Sequence, residues 1–531
     1  MPAIKAFTVN RVAVLVFSLY LVIGVLAVDD YGISIDEEFQ HLSALTSYTY
    51  VMGDVMRASG NEAVREAAAN APDLMTYHDR YYGVALETVT IAIEHLRGFS
   101  MSSREIYVMR HLFVFLNYFA SSVFFYLILR RRYGHTWTPL IGALMYILYP
   151  RFFGESFYNI KDMLFFAWLV ISAYFVMRWL EDGKALFLIV SAFTLAVTTN
   201  TRILGLSLLL LACLFSLVRS LRRGEPAPRV ILKPALLIVL TFVCYIGVTP
   251  FVWQDPIRNT YAIFRNFLHF GGWDGTHFYL GEMITSEVPW HYIPVWMGVT
   301  IPLLYIALFI AGACFFCAAA LGRLRTRTPG PHLYDLFFTV LFFCTIIGFI
   351  ALRINMYEGW RHSYCLFFPF LYVAVFGLDR VYESLRGMRT ALRRGFACAV
   401  CLCLCAQAAW IAVNHPYEYV YFNLIGKQVA EKNFTLDYWE VSHIDLIKYI
   451  LESDGSPTIR ICGSVFSEQK NRNMLTEGEN ARLDWTGIGD AEYYIQDTRM
   501  AYEDRKAPKG FAELKAVTVD GMKIAILYKR I

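Results

Sequence analysis

The sequence predicts a polytopic α-helical membrane protein with about eleven transmembrane helices and a small α/β domain at its C-terminal end. Hydrophobic residues make up 57% of the 531 residues and charged residues only 17%, whereas soluble domains carry about 25% charged residues. Long apolar runs recur up to about residue 414, where the composition becomes that of a soluble domain. The loops between the runs also alternate in charge, as expected for a chain that crosses a membrane repeatedly.

Apolar stretches of about 20 residues predict the transmembrane helices. We expect them near residues 7–28, 106–129, 136–150, 163–180, 185–200, 203–220, 231–252, 292–321, 333–352, 363–378 and 395–414. The first stretch follows Lys5 and Arg11 and could be a signal peptide. Its apolar run is longer than the roughly 7–15 residues of a signal peptide, which favours a retained helix.

Charge in the loops predicts which side of the membrane each one faces. Short arginine-rich loops lie near residues 130–132, 219–229, 323–327 and 386–394, and the positive-inside rule places them in the cytoplasm. The remaining loops are 29–105, 151–162, 253–291 and 353–362, and they join the segment after residue 415 on the other side. We therefore expect a multi-pass plasma (inner) membrane protein whose polar residues face the periplasm or exterior. The sequence has no basic tract of the kind that binds nucleic acid.

The first outer loop, 29–105, brings several carboxylates close to a membrane exit, among them Asp36 and Glu37. These two could be general bases, metal ligands or charges that complement a helix N-terminus, and for Asp36 we favour a functional role. Stretches 38–57 and 81–97 have the periodicity of interfacial helices. We expect residues 61–72 between them to form a mobile surface excursion.

Ionisable residues recur at the outer ends of other predicted helices. The segment 151–162 carries four of them within a dozen residues, and Arg202 and Arg361 stand alone at two further helix ends. Such groups at membrane depth usually serve a function or pair with each other. Arginine suits bidentate phosphate contacts, so these residues indicate either a site for a lipid-linked phosphate or interface anchors.

The loop 253–291 is rich in Trp, His and acidic residues. It fits a lid or acceptor surface equally as well as an aromatic belt at the membrane interface. His269, Asp274 and His277 lack established metal-site spacing, so we do not expect a metal there.

The C-terminal segment is predicted to be a separate unit. Residues 1–414 form the membrane module, and residues 415–531 form an extracytoplasmic α/β domain. Stretches 458–465, 492–496 and 522–528 have the patterns of strands. No catalytic motif is recognisable in this domain.

Four strings together resemble a known family. They are Gly32 to Glu37 followed by His41, Pro150 to Phe153 leading to Asn159–Asp162, Tyr357 to His362, and Asp437 to Trp439. Their order and outer-side placement resemble the C-type glycosyltransferase (GT-C) fold. Within it, the chain looks most similar to the branch of protein O-mannosyltransferases and lipid A aminoarabinose transferases. The resemblance covers roughly residues 1–450.

The resemblance implies an inverting glycosyltransferase. Its donor would be a sugar on a polyprenyl phosphate, embedded among membrane lipids, and its acceptor a lipid, glycan or protein on the outer face. Asp36 would act as general base, with Glu37 orienting base or acceptor. The expected donor phosphate-binding residues are Lys161, Arg202, Arg361, Arg80 and Tyr82. The expected supporting residues are His41, Asn159, Asp162, His362, Arg151 and Glu155.

Some relatives use a divalent metal held by carboxylates, and Asp36, Glu37 and Glu155 could supply ligands here. We expect that no metal or other cofactor is required. The alternative function is a transporter or flippase of lipid-linked sugars, for which we would expect repeated helices broken at the midplane. A second alternative is a membrane assembly protein acting through its C-terminal domain, which would leave the first-loop carboxylates without a role.

Overall fold

A computed structural model describes residues 2–268, 275–326, 332–464 and 470–531. The helices are α1 (Pro2–Ala27), α2 (Glu37–Arg57), α3 (Glu62–Asn70), α4 (Glu87–Leu96), α5 (Ser103–Tyr133), α6 (Thr138–Ile147), α7 (Pro150–Tyr158), α8 (Asp162–Asp182), α9 (Ala185–Thr201), α10 (Gly205–Arg222), α11 (Ala227–Val248), α12 (Pro256–Leu268), α13 (Tyr292–Thr300), α14 (Leu303–Thr326), α15 (Leu333–Ala351), α16 (Phe367–Ser384), α17 (Thr390–Asn414), α18 (Ala430–Asn433), α19 (His443–Ser453) and α20 (Glu477–Asn480). Short 3-10 helices cover Pro250–Val252, Arg361–Leu366, Leu385–Gly387, Glu418–Val420, Gly426–Gln428, Arg472–Met474 and Tyr502–Asp504.

The predicted membrane-spanning architecture is confirmed. In the described ranges, nine helical segments are long and apolar enough to cross a membrane, and the shorter apolar helices α6 and α9 occupy two further predicted spans. The predicted span 292–321 is divided, because α13 ends at Thr300 and α14 begins at Leu303. Pro302 lies at the break, and the residue before it, Ile301, is extended, as a following proline favours.

The two ends of the helix bundle carry different charged groups. Helix α8 has 21 residues and is therefore about 30 Å long. At its C-terminal end Asp182 lies 3.5 Å from Arg131, one of the arginines of the predicted cytoplasmic loops. At its N-terminal end Asp162 pairs with Arg202 and lies near Arg361. The arginines at 130–132 therefore lie at the end of α8 opposite to the candidate functional residues.

Three helices occupy the first outer loop. Helices α2 and α4 correspond to the two predicted interfacial helices. Most of the expected excursion at 61–72 is helical, because α3 forms there, and its mobility stays a prediction. Asn61 is the N-cap of α3, and its side chain accepts a hydrogen bond of 2.9 Å from the amide of Ala63. Val64 and Ala68 are buried against Met56 of α2.

The C-terminal residues form a five-stranded sheet. Its strands are β3 (Ile459–Gly463), β4 (Leu483–Trp485), β5 (Tyr493–Gln496), β6 (Phe511–Val519) and β7 (Met522–Arg530), after a small hairpin of β1 (His277–Tyr279) and β2 (Glu282–Ile284) earlier in the chain. The strand order is β4-β3-β5-β7-β6. Strand β3 is parallel to β4 and β5, and β7 is antiparallel to β5 and β6. Strands β3, β5 and β7 match the predicted strands, although Val465 lies outside the described residues. Helix α19 packs on β6 and β7.

Candidate functional site

Asp36 lies immediately before α2, in a segment that the C-terminal part of the chain holds by its backbone. The amide of Ile35 donates to the carbonyl of Trp439 at 3.2 Å. The amide of Ile33 donates to the side chain of Asn471 at 2.9 Å, and Asn471 is fully buried. The position of Asp36 therefore depends on residues more than 400 positions later in the chain.

Arg361 begins a 3-10 helix at the entrance to α16 and is buried. Its Nη1 atom lies 2.7 Å from Oδ2 of Asp36, and its Nη2 atom donates to the hydroxyl of Tyr438 at 2.9 Å. The guanidinium carbon also lies 4.6, 5.1 and 5.0 Å from the ring centres of Tyr438, Trp439 and Tyr357. Because aromatic faces attract cations, these rings fix the arginine in a defined position.

Asp162 and Arg202 complete this site. Asp162 is the first residue of α8, and its amide donates to the side chain of Asn159 at 3.0 Å. Its carboxylate accepts a hydrogen bond from Arg202, and its Oδ2 atom lies 3.6 Å from Nη1 of Arg361. We call Asp36, Asp162, Arg202 and Arg361 the acid–arginine cluster. It joins the start of α2, the start of α8, the end of α9 and the entrance to α16.

The acid–arginine cluster has arginine N–H groups that no described residue accepts, and one carboxylate that solvent can reach. A guanidinium carries five N–H donors. Within the described part of the chain, the buried Nε atoms of Arg202 and Arg361 have no hydrogen-bond partner. The Asp36 side chain is 31% exposed, whereas that of Asp162 is 1% exposed. The arrangement can therefore bind an anion at the arginines, and a second substrate can reach Asp36.

Lys161 lies beside the cluster but points towards the first outer loop. Its Nζ atom donates to the carbonyl of Gly83 and lies 3.3 Å from Oε1 of Glu87. Burial lowers the pKa of Lys161, while the carboxylate of Glu87 raises it. A β-carbon at Gly83 would lie 1.9 Å from the carbonyl oxygen of Asn200, so only glycine permits this close approach.

Tyr82 lies at the edge of the cluster. Burial raises its pKa, the nearby Tyr357 and Asp79 raise it further, and the positive charge of Arg202 lowers it. Its ring also packs edge-on against Phe267 of α12, with the ring centres 5.5 Å apart. Tyr82 is thus close enough to Arg202 to feel its charge, and its contact with the donor stays a prediction.

Two predicted residues of the first loop instead pair within it or with α5. Glu37 is buried, accepts a 2.8 Å hydrogen bond from the amide of Ser34, and lies 2.8 Å from Nε2 of the buried His111. His41 lies 2.9 Å from the buried Glu94 of α4. These contacts join α2 to α5 and to α4, and the structure does not bring Glu37 or His41 into the cluster.

Arg80 and Arg151 also point elsewhere. Arg80 donates to the carbonyl of Tyr77 at 2.7 Å and to the hydroxyl of Tyr81 at 2.9 Å. Arg151 donates to the carbonyl of Tyr421 at 2.8 Å and lies over the ring of Phe422. Arg151 therefore connects α7 to the chain that follows α17.

Asn159 contacts the cluster through the amide of Asp162, Glu155 is hydrogen-bonded to Asn159, and His362 follows Arg361 in the chain. The Asn159 side chain donates to Glu155 at 2.8 Å, and the hydroxyl of Tyr364 donates to the same carboxyl at 2.5 Å. Burial nevertheless raises the pKa of Glu155 to about 7. The ring of His362 packs edge-on against Tyr357, with the ring centres 4.6 Å apart.

Across the described ranges, no group of three or more His, Cys, Asp or Glu side chains has the arrangement of a metal site. Asp36, Glu37 and Glu155, considered above as ligands, have separate partners in Arg361, His111 and Tyr364. His269 and Asp274 lie outside the described residues. That the protein requires no metal stays a prediction.

Sequence reasoning did not single out Tyr438, Glu87 or Glu358. Tyr438 and Glu358 stand inside two of the strings that carry the family resemblance, so a signal for them was present. Glu87 contacts Lys161 across 74 positions, and its sequence context gives no sign of that contact.

Similarity to known proteins is found among solved structures. No family model and no curated protein matches the chain. Two crystal structures of ArnT from Cupriavidus metallidurans, one in the apo state and one bound to undecaprenyl phosphate, are similar to it at 13% sequence identity. Each comparison covers 97% of both chains with a TM-score of 0.49. Similarity this low does not assign a role to any residue of this chain.

Proposed function

We propose that this protein is an inverting glycosyltransferase that moves a sugar from a polyprenyl-phosphate donor to an acceptor on the extracytoplasmic face of the membrane. The observation that supports this is the acid–arginine cluster, in which four remote segments bring two carboxylates and two arginines together at one end of the helix bundle. The donor's hydrocarbon tail would stay in the bilayer, and its phosphate would lie at the level of the cluster.

Arg202 and Arg361 would bind the donor phosphate. Each keeps a buried Nε–H group without a partner among the described residues, and arginine matches phosphate oxygens in pairs. Arg361 contacts Asp36 and Asp162 together. A phosphate would compete with Asp36 for this arginine, so that donor binding frees the carboxylate.

The transfer step follows from these positions. An acceptor hydroxyl oxygen forms a bond to the anomeric carbon while the bond from that carbon to the phosphate oxygen breaks. The phosphate leaves with the electron pair, and Arg202 and Arg361 stabilise its developing charge. Asp36 accepts the hydroxyl proton, a role that contributes about 10²–10⁴-fold. Asp162, which is 1% exposed, would orient the two arginines.

The transporter alternative has no comparable support. A transport site is expected near the middle of the membrane between repeated, broken helices. Here the cluster lies at helix ends, at the start of α8 and the end of α9.

The experiment uses the full-length protein in nanodiscs with a fluorescent polyprenyl phosphate that carries a sugar. A panel of hexose, pentose and uronic acid donors is tested, each with a lipid, glycan or protein acceptor preparation from membranes. Release of polyprenyl phosphate together with a glycosylated acceptor supports the proposal, and Asp36→Asn should lower the rate of forming both products at least about 10²-fold. In proteoliposomes, movement of the intact donor across the bilayer without release would overturn the proposal in favour of a flippase.

A further inference from the structure

A second set of buried polar side chains lies next to Arg361. Its members are Glu358, His277, Tyr292 and Thr435, and each is at least 95% buried. Within the described residues, hydrogen-bond partners are lacking for Oε2 of Glu358, both ring nitrogens of His277 and the hydroxyls of Tyr292 and Thr435. We call these four residues the unpaired polar cluster.

The four side chains are neighbours, although they come from separate segments. The rings of His277 and Tyr292 meet edge-on with their centres 5.6 Å apart. Tyr292 is a neighbour of Glu358 and Gly359. The Thr435 hydroxyl lies close to the Glu358 carboxyl and lowers its pKa, although the two groups do not meet in normal hydrogen-bond geometry. The set therefore joins β1, the start of α13, the loop before Arg361 and the chain after α18.

Leaving these atoms unpaired is unfavourable. Each buried donor or acceptor without a partner costs about 1–3 kcal/mol, and the whole stability of a protein is only about 5–15 kcal/mol. Glu358 also has a backbone φ of 52°, in the left-handed region that non-glycine residues rarely occupy. Such local strain is characteristic of functional sites.

The protonation states suit hydrogen bonds to neutral hydroxyl groups. Burial lowers the pKa of His277 to about 4, so its neutral ring offers one donor and one acceptor. Burial raises the pKa of Glu358 to about 7, although the nearby Thr435 hydroxyl and the charges of Arg499 and Arg361 lower it. Together the four side chains can donate to and accept from several hydroxyls of one small molecule.

The position of the unpaired polar cluster indicates which part of the donor it would contact. Glu358 precedes Arg361 by three residues, and the ring centre of the adjacent Tyr357 lies 5.0 Å from the guanidinium carbon of Arg361 and 4.6 Å from the ring centre of His362. A sugar joined directly to a phosphate at Arg361 would lie beside that arginine. We propose that the unpaired polar cluster binds the hydroxyl groups of the donor's sugar ring. This inference rests on the proposed function and deepens it.

The test compares two probes on the full-length protein in nanodiscs. One probe is polyprenyl phosphate alone, and the other is polyprenyl phosphate carrying a hexose, a pentose or a uronic acid. The variants Tyr292→Phe and Thr435→Val each remove one unpaired hydroxyl at nearly constant shape. We expect each to weaken binding of the sugar-bearing probe about tenfold, without changing binding of the bare lipid. Because each removes an unpaired buried group, the thermal midpoint should stay constant or rise.

Tyr118→Phe is the matched control. Tyr118 is also a fully buried tyrosine, but its hydroxyl donates to the carbonyl of Tyr146 at 3.0 Å. This variant should lower the thermal midpoint and leave binding of both probes unchanged.

The outcomes separate the two proposals. If the wild type binds the bare lipid, yet Tyr292→Phe and Thr435→Val bind the sugar-bearing probe like wild type, the cluster does not contact the sugar. A change in the acceptor KM alone would overturn the inference in favour of an acceptor site. If the wild type binds neither probe, the proposed function itself fails, and the inference fails with it.

Discussion

Nη1 of Arg361 lies 2.7 Å from Oδ2 of Asp36, although 325 positions separate the two residues in the sequence. The same nitrogen lies 3.6 Å from Oδ2 of Asp162. One buried guanidinium thus connects a carboxylate that substrate can reach to one that it cannot. On the proposed mechanism, a donor phosphate would replace Asp36 as a partner of Arg361 and leave this carboxylate available for the acceptor.

Asp36→Asn should keep the protein folded and lower turnover at least about 10²-fold, because asparagine cannot accept the acceptor's proton. Steady-state release of polyprenyl phosphate measures this, and size-exclusion chromatography checks folding. Asp29→Asn is the control, since Asp29 is an exposed carboxylate of the same segment, paired with Arg104. Turnover near the wild-type level in Asp36→Asn would exclude Asp36 as the base.

Arg361→Ala should raise the KM for the sugar donor more than the KM for the acceptor. The variant removes N–H groups that would bind the donor phosphate, and it leaves Asp36 in place. A decrease of at least tenfold in kcat/KM for the donor is expected, since a charged hydrogen bond is worth about 1.5–3 kcal/mol. Arg353→Ala is the control and should behave like wild type, because it removes an exposed arginine from the loop between α15 and Arg361. Equal effects of Arg361→Ala on both substrates would indicate that the residue is only part of a structural ion pair.

Glu37→Ala should lower stability and spare turnover, whereas Asp36→Asn should lower turnover and spare stability. Glu37→Ala leaves Nε2 of the buried His111 without its hydrogen-bond partner, and an unsatisfied buried polar group costs about 1–3 kcal/mol. The thermal midpoint in detergent should fall clearly, while turnover per folded molecule stays close to wild type. In Glu38→Ala both should stay unchanged, because the Glu38 side chain is 57% exposed. If Glu37→Ala instead lost turnover at an unchanged midpoint, Glu37 would belong to the catalytic site after all.

Glu155 should make stability depend on pH. Its pKa is raised by burial from 4.5 to about 7, so the folded protein holds an extra proton between these values. This contribution is fully present below pH 4.5 and is lost as the pH rises through 7, and it amounts to about 3 kcal/mol. Glu155→Gln should remove it. Unfolding of wild type and variant followed between pH 4.5 and 7.5 would give parallel curves if Glu155 did not titrate there.

Hydropathy and loop charge were enough to predict the membrane helices, because both depend on the lipid environment rather than on which helices are neighbours. The same reasoning picked out Asp36, Arg202 and Arg361 as ionisable groups at helix ends. It favoured Asp36 as the base, but it also placed Glu37 in the catalytic site. Consecutive residues at the start of a helix point about 100° apart, and only the position of His111 on α5 shows which of the two is buried.

The sheet shows a different limit of the sequence. Strands β3, β5 and β7 have apolar patterns, and all three were predicted. In β6 the residues from Ala512 to Lys515 are exposed, and β4 has three residues, none of them buried. Neither strand presents a continuous apolar face, so their place in the sheet is set by pairing with β7 and β3.

The backbone contacts of Ile33 with Asn471 and of Ile35 with Trp439 restrict how this protein can be recombined. A chimera that joins its membrane helices to the C-terminal residues of a distant homologue would keep every membrane helix. It would still lose the backbone contacts that hold Asp36 in position. Exchange of the two parts should keep the proposed activity only if the 31–36 segment is transferred together with the C-terminal residues that hold it.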